Sequence, residues 1–386
     1  MKSNRLLRLT IISIKNSNKS ELNKDPCSYR FKVICLFFLG LLSFLTQGQE
    51  NQILSDSIAP LQENEFIEDH KNRFNVKLEV SDDVFSFAVL DNDIELELRP
   101  NLNRRYGVVM SYKFLSVRIA FRPGVTEKQK ENKGDSNNFN MRIRLLFDNW
   151  NHHLEYGYVK GYYVTNTEDF FPNETGIHLQ FPNLRSYLFT GSSSYKLNKD
   201  YSLRAIRSQT EIQTKSAGSF MPGIGYSYYQ LNGAKDIILP DGEEVERDLY
   251  TDFEGINLSL LIGYYYTYVI KKKWYLNGFA VPGGGVEFYN RTIRNNEGLN
   301  EKLHNTDYYL NIYYGVGAGY NGDKFFFGGN YNSRFSNAEL NANKASIIPN
   351  KHSFSVFFGY RFKAPKTVSR PIEYIEEKVP ILKDEN

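Results

Sequence analysis

A chain of 386 residues with 41% hydrophobic and 15% aromatic content, including 28 Tyr and 28 Phe, has the length of two ordinary domains or of one large barrel. No stretch approaches the roughly 18 consecutive apolar residues of a membrane helix, which excludes a helical membrane protein. The formal charge of +3 resides in the first 48 residues, where eight Lys or Arg stand against Glu21 and Asp25; without them the balance is about −3, so no nucleic-acid partner is indicated.

Residues 33–45, VICLFFLGLLSFL, have the length of a signal-peptide h-region. Arg30 and Lys32 precede them and TQGQE follows, so 1–48 reads as a signal peptide with an unusually long n-region, cleaved near Gly48. Cys27 and Cys35, the only cysteines, fall inside it, and the secreted chain is expected to hold no disulfide or thiolate metal site. Residues 49–72 are polar and acidic and read as a periplasmic linker.

Residues 73–363 carry strand signals almost without interruption. Alternating apolar sets recur at Ile94, Leu96, Leu98; at Val117, Ile119, Phe121; at Met141, Ile143, Leu145, Phe147; and from Leu258 to Ile270 at every second residue. They return at Ile312, Tyr314, Val316, Ala318, Tyr320 and at Phe325, Phe327, Gly329, Tyr331, and end in HSFSVFFGYRFK. In that last run Phe354, Val356, Phe358, Tyr360 and Phe362 share one face while Ser353, Ser355, Gly359, Arg361 and Lys363 share the other, with Phe357 as the exception. Such alternation suits a wall with lipid on one side and a polar lumen on the other. Gly315, Gly317 and Gly319 line the polar face, where they would leave room.

Connections alternate in length. The short ones, 101–103, 148–151, 198–200, 271–273 and 321–323, fit tight periplasmic turns; the long ones, 124–138, 165–183, 232–252, 290–306 and 336–351, fit external loops. A chain that enters and leaves on the periplasmic side crosses an even number of times. The fold expected is therefore an all-β, antiparallel transmembrane β-barrel of outer-membrane type with twelve strands. Their centres lie near Phe87, Leu96, Met110, Leu145, Tyr156, Phe189, Ala217, Gly263, Gly278, Val316, Phe327 and Phe358. Segments 104–122 and 201–231 each count as one long strand with a bulge, near 113–115 and 216–219. A hairpin at either would make fourteen strands or invert the first half. Residues 364–386, with Pro365, Pro371 and Pro380, read as an extended, solvated periplasmic tail.

RPN at Arg99–Asn101, YGVVMSYK from Tyr106, KGYY at Lys160–Tyr163 and KSAGSF at Lys215–Phe220 occur in that order. Together they resemble the family of secreted bacterial barrels known as domain of unknown function 4421, over about residues 73–363. The resemblance implies an outer-membrane barrel; it brings no activity or catalytic residues. The partners expected of such a barrel are outer-membrane lipid and, during insertion, the barrel-assembly machinery, and the function expected first is passage or binding of a small solute or lipid through a partly obstructed polar lumen.

With the apolar partners facing lipid, the lumen is expected to receive Glu95, Glu97, Arg99, Arg118, Arg142, Arg144 and Glu155. Two readings stand: ion pairs that brace a narrow interior, or a charged constriction that selects or binds a solute. His152, His153 and Glu155 form the densest set of metal-ligand types, yet on a strand His152 points away from the other two, so no metal is assigned. A lipid-modifying enzyme would need a Ser and a His in hydrogen-bond reach. Ser192, Ser193, Ser194, Ser216 and Ser219 find no His at a matching position in the same strand or the next, so no catalytic residue or cofactor is assigned. A structural or adhesive barrel acting through its loops is the third reading. The VPGGGVEF run at 281–288 continues a strand and lacks the helix and Lys of a phosphate loop. Lys271, Lys272 and Lys273 before Trp274 suit a turn at the membrane interface.

Overall fold

The computed structural model describes residues 64–82, 86–91, 94–172, 177–233, 236–246, 253–294, 300–336 and 352–378. The signal peptide and most of the linker lie outside them. Eighteen strands are described: β1 (Ile67–Asp69), β2 (Arg73–Asp82), β3 (Phe87–Asp91), β4 (Ile94–Arg99), β5 (Arg105–Tyr112), β6 (Leu115–Phe121), β7 (Asn137–Leu146), β8 (Trp150–Val164) and β9 (Gln180–Tyr195) come first. They are followed by β10 (Glu211–Gln213), β11 (Ala217–Asn232), β12 (Asp236–Ile238), β13 (Glu244–Glu246), β14 (Phe253–Ile270), β15 (Trp274–Arg294), β16 (Asn300–Asn321), β17 (Phe325–Ser336) and β18 (His352–Lys363).

Twelve of them form a closed antiparallel ring, in the order β2, β5, β6, β7, β8, β9, β11, β14, β15, β16, β17, β18. The ring closes where β18 pairs with β2, from Lys363 opposite Arg73 to Phe354 opposite Asp82. Closure removes the open edges that a flat sheet would present. At the long-loop end β4 extends the sheet from β8, with Arg99 opposite Tyr163, and β3 pairs with β4. The β12–β13 hairpin extends it from β9 through Ile238 opposite Gln180. β1 and β10 form a separate two-stranded sheet.

Alternation sorts the side chains as expected. On β14 Leu258, Leu260, Ile262, Tyr264, Tyr266, Tyr268 and Ile270 are all exposed on the outer face, and on β18 so are Phe354, Val356, Phe358, Tyr360 and Phe362. No helix among the described residues is long and apolar enough to cross a membrane; the exposed apolar belt belongs to strands, as in a transmembrane barrel. Both tryptophans, Trp150 and Trp274, are exposed at the rim where the short turns lie. Inside, the glycines of β16 are covered by neighbouring side chains, Gly315 and Gly319 by aromatic residues and Gly317 by Asn277 and Asn330, instead of leaving empty space. A Cβ on Gly315 would meet Phe279 at 2.8 Å and one on Gly319 would meet Tyr275 at 2.7 Å.

The count of twelve is as expected, but its members differ. β2 is a wall strand; its outward set Val76, Leu78, Val80 precedes the first centre expected. Phe87 and Leu96 instead belong to the β3–β4 hairpin, whose Phe87 and Leu98 pack with Tyr162, Val164, Phe181 and Ile237 in a protein core. The apolar face of β4 therefore meets protein, and the turn expected at 101–103 lies at the long-loop end. Segment 104–122 is the β5–β6 hairpin, turned at Lys113 with φ 51°. Segment 201–231 is not one strand either. Its first part folds inward, and the wall resumes at Ala217. Two further differences concern the ends: residues 67–69 of the linker pair with β10, and the tail forms a helix over Lys366–Lys378 that contains Pro371.

Candidate functional site: a plugged cationic chamber

The connection from β9 to β11, residues 196–216, turns into the barrel at the short-turn end. It contains the single-turn helix α1 (Arg204–Arg207) and β10, and its Ser202, Arg204, Ala205, Gln209, Thr210 and Ile212 are almost wholly buried. Polar groups this deep must find partners, and the wall supplies them from all sides. Asn75 of β2 donates to the carbonyls of Ser208 and Gln209 at 3.1 and 2.7 Å. Lys77 Nζ reaches the Arg207 carbonyl at 3.3 Å and Gln209 Oε1 at 3.2 Å. Asn321 at the end of β16 donates to the carbonyls of Ala205 and Glu211 at 3.1 and 3.0 Å, and Arg361 of β18 donates to the Gln209 carbonyl at 3.0 and 2.7 Å. Arg204 crosses to the Leu146 carbonyl of β7 at 2.6 Å and holds Asp148 and Glu211 at 2.9 and 3.0 Å. The segment is thus a plug tied to four wall strands. Burial alone would raise the Glu211 carboxyl; the charges of Arg204 and Lys71 and a hydrogen bond from Ser202 outweigh it and hold the group below the usual glutamate range.

Above the plug lies a cavity of about 410 Å³, floored by Leu203, Ile206 and Arg207. Lys77, Arg118, Arg142, Arg144, Arg207 and Arg334 line it, against the carboxylates of Glu79 and Glu155. Cross-strand register brings the charges together, since Arg118 is opposite Arg142, Arg142 opposite Glu155 and Arg144 opposite His153. Arg118, almost fully buried, lies 3.0 Å from Glu79 and donates to Asn140 Oδ1 at 3.0 Å and to Ser81 at 3.3 Å. Asn140 donates in turn to Glu155 at 2.9 Å, and Arg142 holds Glu155 through two bonds of 2.8 and 3.2 Å. Gly107 makes this possible, because a Cβ there would stand 3.0 Å from Arg118 Nε.

Of the lumen residues expected from sequence, Arg118, Arg142, Arg144 and Glu155 meet in this chamber. Glu95, Glu97 and Arg99 do not, because they belong to the β4 hairpin. Glu97 and Arg99 are exposed there, and Glu97 accepts from Thr165 Oγ1 at 2.7 Å; the Glu95 side chain lies outside the described residues. Sequence reasoning missed Lys77 and Glu79, although they alternate with Val76, Leu78 and Val80. It missed Arg207 because the plug read as strand, and Arg334 because it lies past the apolar set Phe325–Tyr331 of its strand. Phe357, the odd residue of the final strand, faces the lumen beneath Lys77 Nζ, 4.8 Å from its ring centre.

The family model described as Domain of unknown function (DUF4421) matches residues 55–362. The chain belongs to this family. No curated protein matches it. Among solved structures, the toluene transporter TodX of Pseudomonas putida is similar at 7% identity, covering 76% of this chain and 89% of that one with a TM-score of 0.28. The outer-membrane protease OmpT of Escherichia coli gives 9%, 76%, 98% and 0.32, and the β domain of the Bordetella autotransporter BrkA gives 10%, 75%, 99% and 0.33. At such scores no activity transfers to this DUF4421 barrel.

Two further clusters in this DUF4421 chain escaped the sequence. His152 of β8 stands opposite Ser193 of β9, with Nδ1 and Oγ 2.9 Å apart, which corrects the expectation that no Ser finds a His on the next strand. Ser193 shares a face with Phe189 and Gly191, opposite to the chamber-lining Ser192 and Ser194. Ser193 is nonetheless buried, and the His152 ring is held between Trp150, stacked on it, and Phe147, edge-on to it, with no carboxylate bonded to it among the described residues. Glu68, His70 and Asp323 bring their ligand atoms within 4.8 Å at the short-turn rim. There Lys273 Nζ, at 2.9 and 2.8 Å from the two Asp323 oxygens, takes the place a metal cation would need.

Proposed function

We propose that this protein is an outer-membrane barrel that receives a small solute in its chamber from the external, long-loop side, with residues 196–216 as a stopper on the periplasmic side. The outward belt on β14 and β18 supports contact with membrane lipid, and insertion by the barrel-assembly machinery follows from that placement. The observation that carries the reading is the plug itself, bonded to β2, β7, β16 and β18 beneath a polar cavity. A wall that needed only filling would be served by side chains, as β14–β17 show; a folded segment that closes one end and leaves a chamber above it divides the path in two.

Planar-bilayer recording tests this. The wild type is expected to show little steady conductance, and replacement of residues 203–212 by a Gly-Ser segment of equal length is expected to open a steady pore. A wild type that conducts as an open pore would overturn the stopper. So would a replaced variant that keeps heat-modifiable gel mobility yet stays closed. The Ser193–His152 pair is the one observation on the side of a lipid-modifying enzyme. Nucleophilic catalysis needs an accessible nucleophile and an oriented base, so buried Ser193 is expected to be inert towards phospholipid, and acyl hydrolysis abolished by Ser193→Ala would reverse that order.

A further inference from the structure

The charges of the chamber do not balance, and the imbalance is localised. Its two carboxylates are already engaged, Glu79 by Arg118 and Glu155 by Arg142. Lys77 is held by the plug through the Arg207 carbonyl and Gln209. That leaves three guanidinium groups, those of Arg144, Arg207 and Arg334, which make no hydrogen bond or ion pair among the described residues. Arg207 lies over the Phe279 ring at 5.2 Å and Arg334 over the Tyr313 ring at 6.0 Å. Stacking occupies the face of a guanidinium and leaves its N–H edge free to donate. Arg144, half-buried on β7, feels the like charges of Arg142 and Arg207 and, less strongly, the opposite charges of Glu79 and Glu155, which Arg118 and Arg142 already hold.

Like cations gathered in a cavity walled by protein repel one another, and the partner that relieves them is a counter-anion. Forked guanidinium edges match carboxylate and phosphate oxygens two at a time. Hydroxyls and amides complete the lining, among them Ser192, Ser194 and Asn332. They can donate to an anion's remaining oxygens, and the cavity volume is that of a small-molecule site.

We infer that the chamber binds a small soluble anion carrying carboxylate or phosphate groups, held between Arg144 of the wall and Arg207 of the plug. The inference rests on the solute-receiving reading above and names its ligand class. Because one arginine belongs to the wall and the other to the plug, the bound anion also fastens the plug.

The test is isothermal titration of the full folded barrel in zwitterionic detergent with inorganic phosphate and, separately, with succinate. Glucose and choline serve as uncharged and cationic controls. The wild type is expected to bind at least one of the anions and neither control, with affinity falling as sodium chloride rises. Arg144→Gln and Arg207→Gln are each expected to weaken binding by roughly tenfold or more, the loss of a charge-assisted bidentate contact. Arg73→Gln, at the start of β2, is expected to leave it unchanged. Gel mobility before and after boiling confirms that each variant is folded; if Arg144→Gln fails to fold, Arg207→Gln, on the plug and outside the wall, carries the test.

Absence of phosphate and succinate binding, or variants that bind as the wild type does, would overturn the inference. So would displacement of bound phosphate by phosphatidylglycerol but by no soluble anion, which would make the source a lipid headgroup. Binding and conductance together separate this inference from the reading beneath it. A wild type that binds neither anion, beside a plug-replaced variant that conducts steadily, would sink the anion site and leave solute entry standing. Anion binding by the wild type, beside a folded plug-replaced variant that stays closed, would do the reverse.

Discussion

The two halves of the barrel wall fill the same interior by opposite means. From β2 to β8 the inward positions include long charged side chains among small ones, and the structure locks Glu79, Arg118, Asn140, Arg142 and Glu155 into one network. From β14 to β18 they are mostly glycine, asparagine, serine and aromatic, and aromatic rings lie across glycines: Phe326 over Gly359, Tyr275 over Gly319, Phe279 over Gly315. The charged half needs every partner to be present, since an ion left alone in a low-dielectric interior costs more than the pair returns. The neutral half needs every neighbour to be small. One wall is vulnerable to deletion and the other to insertion.

The largest effect is therefore expected from removing one member of the charged network. Arg118→Ala takes from Glu79 its 3.0 Å guanidinium partner, while Asn140 keeps Arg105 at 3.0 Å, and the loss of a buried partner costs about 3–5 kcal/mol. The midpoint of urea unfolding in detergent, followed by gel mobility of unboiled samples, should fall accordingly. The paired replacement Arg118→Met with Glu79→Leu should recover most of the loss, because removing both charges removes the desolvation penalty too. An unchanged midpoint in the single variant would show that lumen water, and not Arg118, satisfies Glu79.

The neutral half is probed by adding atoms. A Cβ on Gly359 would stand 2.3 Å from two ring carbons of Phe326, with the Val76 carbonyl at 3.0 Å. Gly359→Ala is expected to cost about 1–3 kcal/mol by overpacking, measured by the same unfolding midpoint. Phe326→Leu in the same chain should return part of it. If Gly359→Ala unfolds like the wild type, the ring moves freely and the packing account of this half fails.

This contrast also explains what was legible in the sequence. The neutral half was read almost strand for strand, because from β14 to β18 apolar residues face lipid with strict alternation and the turns at 271–273 and 322–324 are short. In the charged half, period two identified faces but could not say what each face meets. Leu96 and Leu98 alternate like lipid-facing residues and yet pack into a core with Phe87 and Tyr162. Glu97 and Arg99 were accordingly expected in a lumen they never enter. Lys113 took the turn between β5 and β6 with a positive φ where glycine would have announced it. The plug was the hardest to see: IQT at 212–214 has the composition of wall strand, and only its polar partners on four wall strands draw it inside. The site was half legible for the same reason, its wall arginines being visible and its plug arginine not.

A smaller effect is expected from acid. Glu211 ties the plug through Arg204, Ser202 and Lys71, with its carboxyl held below the unfolded value of 4.5. A carboxyl depressed in the folded state stabilises it above the unfolded value, and that contribution is lost as pH falls through the folded one. Hydrogen exchange of the plug amides should therefore speed up, relative to wall amides, only as the pH drops below 4.5. Glu211→Gln should show fast plug exchange already at pH 7 and little further change on acidification. Plug exchange that keeps pace with the wall at every pH would mean that the two open as one unit.

The smallest effect is expected where a charge pair stands in the neutral half but outside the wall. Lys273 and Asp323 join the β14–β15 and β16–β17 turns at 2.8 Å, with their side chains 35% and 58% exposed. Solvent screens both partners with or without the contact, so Lys273→Gln should lower the unfolding midpoint by the equivalent of about 1 kcal/mol at most, and added salt should erase even that. Arg118 and Lys273 each sit beside a carboxylate at about hydrogen-bond distance, 3.0 and 2.8 Å. If their replacements cost the same, proximity of charges governs this barrel; if they differ several-fold, burial does, and the charged half owes its dependence on intact pairs to the lumen it encloses.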